Sequence, residues 1–405
     1  MPNRALFTLT LLLVALTTRA ASEFSGAGFD SEKLRDIPKR LQPFVEDGTI
    51  SGAVTLVARH GEIASLQAVG LADIGREKPM RTDSLFWIAS MTKPITASAV
   101  LMLKDEGKLS VDDPVEKYLP EFQNQWMIEA RTNDSMTLKR PPRAITIRDL
   151  LTHTSGIGDA PAPRPDCSLA ELVAAYSQQP LQFPPGSRWS YSNAGINTLG
   201  RLVEILSGQP YAEFLQARVF KPLEMTDTSF WPNDSEAARL AKAYQPKPAG
   251  GGLEATEIYF IKGQLGDRKR TAFPAGGLFS TAQDYFHFCQ MLLNGGTWNG
   301  KQLLSHEAAA AMTRTETGEI VTGFTEGMSY GYGFAVVKQP AGVTAMLSPG
   351  TFGHGGAYGT QAWTDPQKDL VLVLMIQRAK LPNGDASDVR RVFQESAVSA
   401  VKDGS

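Results

Sequence analysis

The chain has 405 residues, enough for one large domain or two smaller ones. A hydrophobic content of 42% and a charged content of 20% are those of an ordinary soluble globular protein. The formal net charge of −2 leaves no basic excess to neutralise phosphates, so a nucleic-acid binder is disfavoured, and no period marks internal repeats.

Residues 1–20 read as a targeting signal. Met1-Pro2-Asn3-Arg4 is a short positive region, and 5–16 is an apolar run too short to span a bilayer. Thr18-Arg19-Ala20 places small residues before a cut after Ala20. The expectation is an exported protein, periplasmic or secreted, with no membrane span once the signal is removed. A membrane anchor is the competing reading, and the shortness of the run counts against it.

Leu34, Ile37, Leu41 and Val45 recur at helical spacing, which predicts an amphipathic helix over 31–46 with Ser31 as N-cap. Residues 53–59 and 62–70 read as the two strands of a hairpin about His60-Gly61. A helix over 95–106 follows. Asp113-Pro114 and Leu119-Pro120 break the next stretch. The run 126–143, with Arg131, Lys139, Arg140 and Arg143, reads as a solvated loop, and a lid is the alternative. Helices are expected over 145–151 and 168–178. Another follows Ser190-Tyr191-Ser192-Asn193, with Ile196, Leu199, Val203 and Leu206 on one face. Residues 220–231 read as a connector and 249–252 as a flexible joint. A helix over 281–293 follows Ala275-Gly276-Gly277-Leu278-Phe279.

The last third returns to strands, over 332–338, 343–347 and within 352–366. Residues 370–376 form a continuous apolar run, the mark of a strand buried on both faces. A helix over 386–401 ends the chain. Strands at both ends with helices between predict an α+β fold. One sheet is built from both termini (about 21–85 and 270–405) and covered by the terminal helices. A largely helical subdomain spans about 86–270, and the cleft between the two is the expected site.

Cys167 and Cys289 are the only cysteines, and their separation in sequence says nothing about their distance in space. His60, His153, His287, His306 and His354 are scattered, and none has metal-ligand spacing to a second ligand. No metal and no cofactor are expected.

Three stretches carry chemistry. In Ser90-Met91-Thr92-Lys93 the two polar side chains lie three residues apart, so a helix start places an amine beside a hydroxyl. A neutral lysine can take the serine proton, and burial lowers a lysine pKa enough to make it neutral. Helix-start N–H groups suit an oxyanion. A second match, Ser399-Ala400-Val401-Lys402, lies in a polar tail. Tyr191 is a candidate proton carrier, or else a buried tyrosine bonded to backbone. Asn193 is a candidate donor to a substrate carbonyl, or else a helix cap. His354-Gly355-Gly356 permits close approach of a substrate, with the Ala357 N–H joining that of Ser90 in an oxyanion hole. Its alternative is a β-bulge with a structural histidine. Gly327-Met328-Ser329-Tyr330-Gly331 matches the elbow of another hydrolase class. It lacks the strand before, the helix after and a carboxylate between Ser329 and His354.

In this order the three stretches resemble the motifs of the serine β-lactamase-related family of class C type. That family includes class C β-lactamases, DD-carboxypeptidases, D-aminopeptidases and family VIII carboxylesterases. Leu150-Leu151-Thr152-His153-Thr154-Ser155-Gly156, Pro185-Gly186-Ser187 and Gly276-Gly277-Leu278-Phe279-Ser280-Thr281 extend the likeness across most of the chain. The resemblance implies a β-lactamase/transpeptidase-like fold, an antiparallel sheet flanked by N- and C-terminal helices plus an all-helical subdomain. It also implies acyl transfer. Ser90 becomes acylated, Lys93 and Tyr191 share the base role, and Ser90 and Ala357 hold the oxyanion. Asn193, His354, Gly355 and Gly356 then line the substrate. Many β-lactamases and peptidases of the family carry Lys-Thr-Gly or His-Thr-Gly as the third motif. Its donors there help to hold a substrate carboxylate. Gly355 has no hydroxyl, which favours a neutral short-acyl ester over a β-lactam or D-amino-acid peptide. Many family esterases carry Trp-Gly-Gly, however, and histidine also occurs in the peptidase branch. A non-catalytic binder of peptidoglycan or β-lactams would be expected to have lost Ser90, Lys93 or Tyr191, and all three are present.

Overall fold

The computed structural model describes residues 28–402 except 161–163, 165, 249, 259, 260, 262, 263 and 324. The expected signal segment lies outside the described residues. Eight strands form the main sheet: β1 (Gly52–Arg59), β2 (Glu62–Asp73), β3 (Lys78–Pro79), β4 (Met328–Tyr330), β5 (Ala335–Val337), β6 (Phe352–Gly355), β7 (Gln361–Asp365) and β8 (Leu370–Met375). The principal helices are α1 (Ser31–Arg35), α2 (Ile37–Glu46), α3 (Thr92–Asp105), α4 (Ile147–Leu151), α5 (Leu169–Ser177), α6 (Asn193–Ser207), α7 (Ala282–Leu293) and α8 (Asp388–Ser399).

The sheet order is β4-β5-β6-β7-β8-β1-β2-β3, antiparallel throughout. The first hairpin therefore docks on the last strand, with Val54 opposite Met375 and Arg59 opposite Leu370. Every residue of β8 is buried, and its side chains alternate between two cores. Val371, Val373 and Met375 join Val54, Leu56 and the helical layer. Leu370, Leu372 and Leu374 join Leu34, Ile37, Leu41, Val389 and Phe393 of the terminal helices. Each such fully buried side chain contributes roughly 1.5–3 kcal/mol. Among the described residues no helix is long and apolar enough to cross a membrane.

Several expectations change in detail. The helix over 31–46 is two helices meeting at Asp36, because Pro38 starts a new first turn, where its missing N–H costs least. The N-cap is Asp30, whose carboxylate accepts from the N–H of Glu32 at 3.0 Å, rather than Ser31. The run 126–143 is not a simple loop. Met127–Arg131 pairs with Met136–Lys139 in a small hairpin. Arg143 leaves it to make two hydrogen bonds to buried Asp149, at 2.5 and 2.9 Å. The strand expected over 343–347 is a 3-10 turn, Gly342–Thr344, closed by Thr344 Oγ1, which accepts from Ala341 N–H at 3.1 Å. Gly250, Gly251 and Gly252 lie in the turn of a hairpin, Tyr244–Pro246 with Leu253–Ala255, rather than in a free joint. Cys167 and Cys289 are both buried and unbridged.

α3 runs through the centre of the molecule, and every residue from Thr92 to Leu103 is buried. α6 crosses it. A strap over 272–281 lies across both. At Gly200 of α6 a Cβ would stand 2.1 Å from Pro274 Cγ and 2.8 Å from its Cβ, so only glycine lets the strap sit this low. Gly200→Ala is therefore expected to destabilise the protein by about 1–3 kcal/mol despite alanine's better helix propensity. Urea unfolding, read as a lower midpoint at unchanged slope, checks this.

Candidate active site

The turn that presents Ser90 is built by its neighbours. Phe86–Trp87 pairs with Phe279–Ser280, which ties the approach to the strap. Ile88 N–H donates to Leu278 O at 3.0 Å, and Trp87 Nε1 donates to Gly276 O at 2.8 Å. Ala89 is buried and has φ 46°, a left-handed conformation costly for a residue with a Cβ. Thr92 Oγ1 holds it by donating to Ala89 O at 2.7 Å. Ser90 itself lies in a 3-10 turn, Ala89–Met91, one turn ahead of the expected α-helix, and Lys93 lies in the first turn of α3.

The Lys93 side chain is fully buried. Its Nζ lies 3.0 Å from Ser90 Oγ, 2.8 Å from Asn193 Oδ1 and 2.6 Å from Ala275 O. Burial holds its pKa well below the ordinary lysine value, with the charge of Asp159 pulling weakly the other way. A neutral amine has two N–H bonds and one lone pair. Asn193 and Ala275 take the two N–H bonds, which leaves the lone pair for the Ser90 hydroxyl. Asn193 is thus a partner of the amine, and the cap of α6 is Ser192, whose Oγ accepts from Gly195 N–H at 3.0 Å.

Tyr191 comes from the loop before α6, and its ring centroid is 4.6 Å from Lys93 Nζ. His153 holds that loop from beneath. Its carbonyl accepts from Ser190 N–H at 2.9 Å and its Nδ1 accepts from Ser192 N–H at 3.1 Å. Its ring packs 4.6 Å from the Tyr191 ring. An accepting Nδ1 puts the proton on Nε2, which faces Tyr330 Oη at 3.2 Å. Burial, then the neighbouring Lys93 and His354, push the His153 pKa well down and keep the ring neutral.

The third stretch lies at the end of β6. β5 pairs with β6 only through Phe352 and Gly353, so among the described residues no strand pairs with His354 and Gly355 on that side. His354 is buried, with its ring 6.1 Å from that of Tyr191. Its Nδ1 donates to Gly355 O at 2.6 Å, and burial pushes its pKa down to about 3. The site therefore has a neutral histidine where a lysine would bring a cation. A Cβ on Gly356 would lie 2.6 Å from Ile88 O, so the strand end abuts the Ser90 turn. The adjoining turn hydrogen bonds come from the N–H groups of Met91, Gly356 and Gly359. None of these spends the N–H of Ser90 or Ala357.

The two rival serines are placed elsewhere. Ser329 is buried within β4, with its Oγ 3.3 Å from Thr317 Oγ1. Its flanking glycines are structural, since a Cβ on Gly327 would meet Gln339 O at 1.9 Å and one on Gly331 would meet Met312 O at 2.3 Å. Ser399 ends α8 and donates to Ser396 O at 3.0 Å.

His153, Ala275, Asp159 and Arg131 were not singled out as site residues by sequence. Only the Thr-His-Thr-Ser-Gly and Ala-Gly-Gly stretches hinted at the first two. Arg131 of the hairpin lines a cavity of about 390 Å³ with Asp159, Gln179, Phe183 and Tyr191, so the 126–143 segment borders the site.

A sheet with a helical layer, and a hydroxyl set against a buried amine where they meet, defines a serine acyl hydrolase. The Beta-lactamase family matches the chain over residues 37–397, and the chain belongs to that family. Esterase EstB of Burkholderia gladioli is 34% identical over 81% of this chain and 86% of its own. A putative D-alanyl-D-alanine carboxypeptidase of Escherichia coli K12 is 28% identical over 97% of this chain and 94% of its own. Among solved structures, EstCE1, a hydrolase with promiscuous acyltransferase activity, superposes with TM-score 0.73 at 26% identity, over 92% of this chain and 99% of its own.

The Asp159 charge favours protonated Lys93, so removing it lowers the Lys93 pKa. In Asp159→Asn the acid limb of kcat/KM against pH is expected to move to lower pH, by a fraction of a unit because the group is exposed. A pH–rate series with p-nitrophenyl butyrate checks the direction.

Proposed function

We propose that the protein is a carboxylesterase that works through an acyl-enzyme on Ser90. The observation that carries the chemistry is the buried Lys93 amine, 3.0 Å from Ser90 Oγ with its other two bonds occupied. Ser90 Oγ attacks the ester carbonyl while its proton passes to Lys93. The N–H groups of Ser90 and Ala357 receive the developing oxyanion. The tetrahedral intermediate collapses, and the leaving alkoxide takes a proton relayed from Lys93 through Tyr191. Water then attacks the acyl-enzyme, returns a proton to the same pair, and releases the acid and Ser90. Asn193 and Ala275 keep the amine oriented, and His153 keeps Tyr191 beside it.

The preference for esters is supported by the third stretch. Gly355 has no hydroxyl and His354 is uncharged near neutral pH, so a substrate carboxylate finds no cation there. The esterase relatives agree. A D-alanyl peptidase or β-lactamase activity is the second reading, favoured by the carboxypeptidase relative and by histidine in place of tryptophan. We also propose export, with the chain beginning after Ala20 in its mature form.

Ser90→Ala is expected to lower kcat/KM on p-nitrophenyl butyrate by roughly 10³-fold or more. Ser329→Ala should retain activity, and a chromogenic cephalosporin should be a much poorer substrate than the ester. Activity that dies in Ser329→Ala and survives in Ser90→Ala would overturn the reading, and a cephalosporin turned over faster than the ester would favour the peptidase branch. For export, N-terminal sequencing of protein recovered outside the cytoplasm should begin at Ala21. A chain that begins at Met1 and stays inside the cell would reject that proposal.

A further inference from the structure

The Gly355 α-carbon has a carboxylate against it. A Cβ at Gly355 would lie 2.2 Å from Asp385 Oδ1 and 2.5 Å from Gln361 Nε2. Asp385 sits in the 3-10 turn Gly384–Ala386, just before α8, and is partly exposed. Gln361 faces Gly355 across the β6–β7 ladder. Its Nε2 donates to Asp385 Oδ1 at 3.3 Å and to Gly384 O at 3.2 Å, which sets the carboxylate beside the strand end. The space that a threonine hydroxyl would fill at position 355 is thus occupied by an acid.

The nearby cation feels the Asp385 charge but bonds elsewhere. Arg390 is buried, its guanidinium stacked 3.9 Å over the Trp363 ring. Its Nη1 donates to the Asp385 carbonyl, not to the carboxylate, and its Nε donates to Gln394. Lys93 and His354, the basic groups nearest the Ser90 turn, are pushed toward their neutral forms by burial. Arg131 lines the cavity that Tyr191 and Asp159 also line. A substrate whose carbonyl sits between Ser90 and Ala357 and runs along the end of β6 passes Asp385, whose carboxylate accepts from Gln361.

We propose that Asp385 is a specificity residue that selects against acyl donors carrying a carboxylate near the scissile carbonyl and favours neutral or cationic ones. The proposal rests on the acyl-enzyme reading of Ser90. It assigns to one side chain what the lost hydroxyl of position 355 explains only in part. The acid not only fails to hold an anion but repels it.

The test compares p-nitrophenyl hexanoate with mono-p-nitrophenyl adipate, which share a leaving group and differ by one terminal carboxylate. The wild type is expected to prefer the hexanoate by at least about tenfold in kcat/KM, the order of one like-charge contact at partial exposure. The preference should shrink as sodium chloride is added. Asp385→Asn should raise kcat/KM on the adipate about tenfold and leave the hexanoate within about twofold. Asp385→Glu, which keeps the charge, should keep the preference. Equal loss on both esters in Asp385→Asn, or a preference unaltered by salt and by Asp385→Asn, would overturn the proposal. If the wild type hydrolyses neither ester, it is the esterase reading that fails. The charge selection is then read from acylation of Ser90 by benzylpenicillin, followed by intact mass. Asp385→Asn should accelerate this about tenfold, and an unchanged rate would overturn the proposal.

Discussion

Burying one amine shapes this molecule. An ammonium taken out of water without a counter-ion costs several kcal/mol, and among the described residues the hydrogen-bond partners of Lys93 are Ser90, Asn193 and Ala275, none of them a carboxylate. Burial pushes the amine toward its neutral form, and the site supplies acceptors that a neutral amine can use. Everything around α3 serves that end. The helix is buried along nearly its whole length, α6 brings Asn193, and the 272–281 strap brings the Ala275 carbonyl. Dryness at this point disfavours the charged amine, and the same dryness disfavours the cationic forms of His153 and His354.

The sheet supplies the opposite wall by a different logic. Its centre is the β8–β1 pairing, which joins the ends of the chain and is covered on both faces. Its edge near the site is left incomplete, because β5 pairs with only half of β6. That leaves a strand end able to meet a substrate backbone to backbone. Two glycines there answer different neighbours. Gly356 lets the strand close on the Ser90 turn, and Gly355 makes room for Asp385. The terminal helix α8 thus contributes to the site through the turn that precedes it.

Much of this was legible in the sequence. The hairpin about His60-Gly61 and the apolar run over 370–376 were legible as strands, and the helices expected from 168 and 281 start there, capped by Ser168 and Thr281. The failures have local causes. Pro38 split the first helix, Thr344 turned an apolar stretch into a 3-10 turn, and the hairpin over 127–139 is exposed beyond Met127 and Ile128, too little burial to produce a strand pattern. Asn193 was legible as a polar residue at a helix start, but its choice between cap and ligand was not, because Ser192 competes for the same cap.

The sequence by itself determined the residue types of the proposed reaction, namely a serine and a lysine three apart, a tyrosine before a helix and a glycine-rich strand end. These are patterns of short range, and backbone geometry alone places such neighbours together. Only the tertiary structure decided the proton state of Lys93, the pairing of His153 with Tyr191, and the carboxylate at Gly355. Each depends on burial or on partners remote in sequence, as with Ala275, which lies 182 residues from the lysine it holds. The free energy of a charge is set by what surrounds it in space, and no local pattern contains that information.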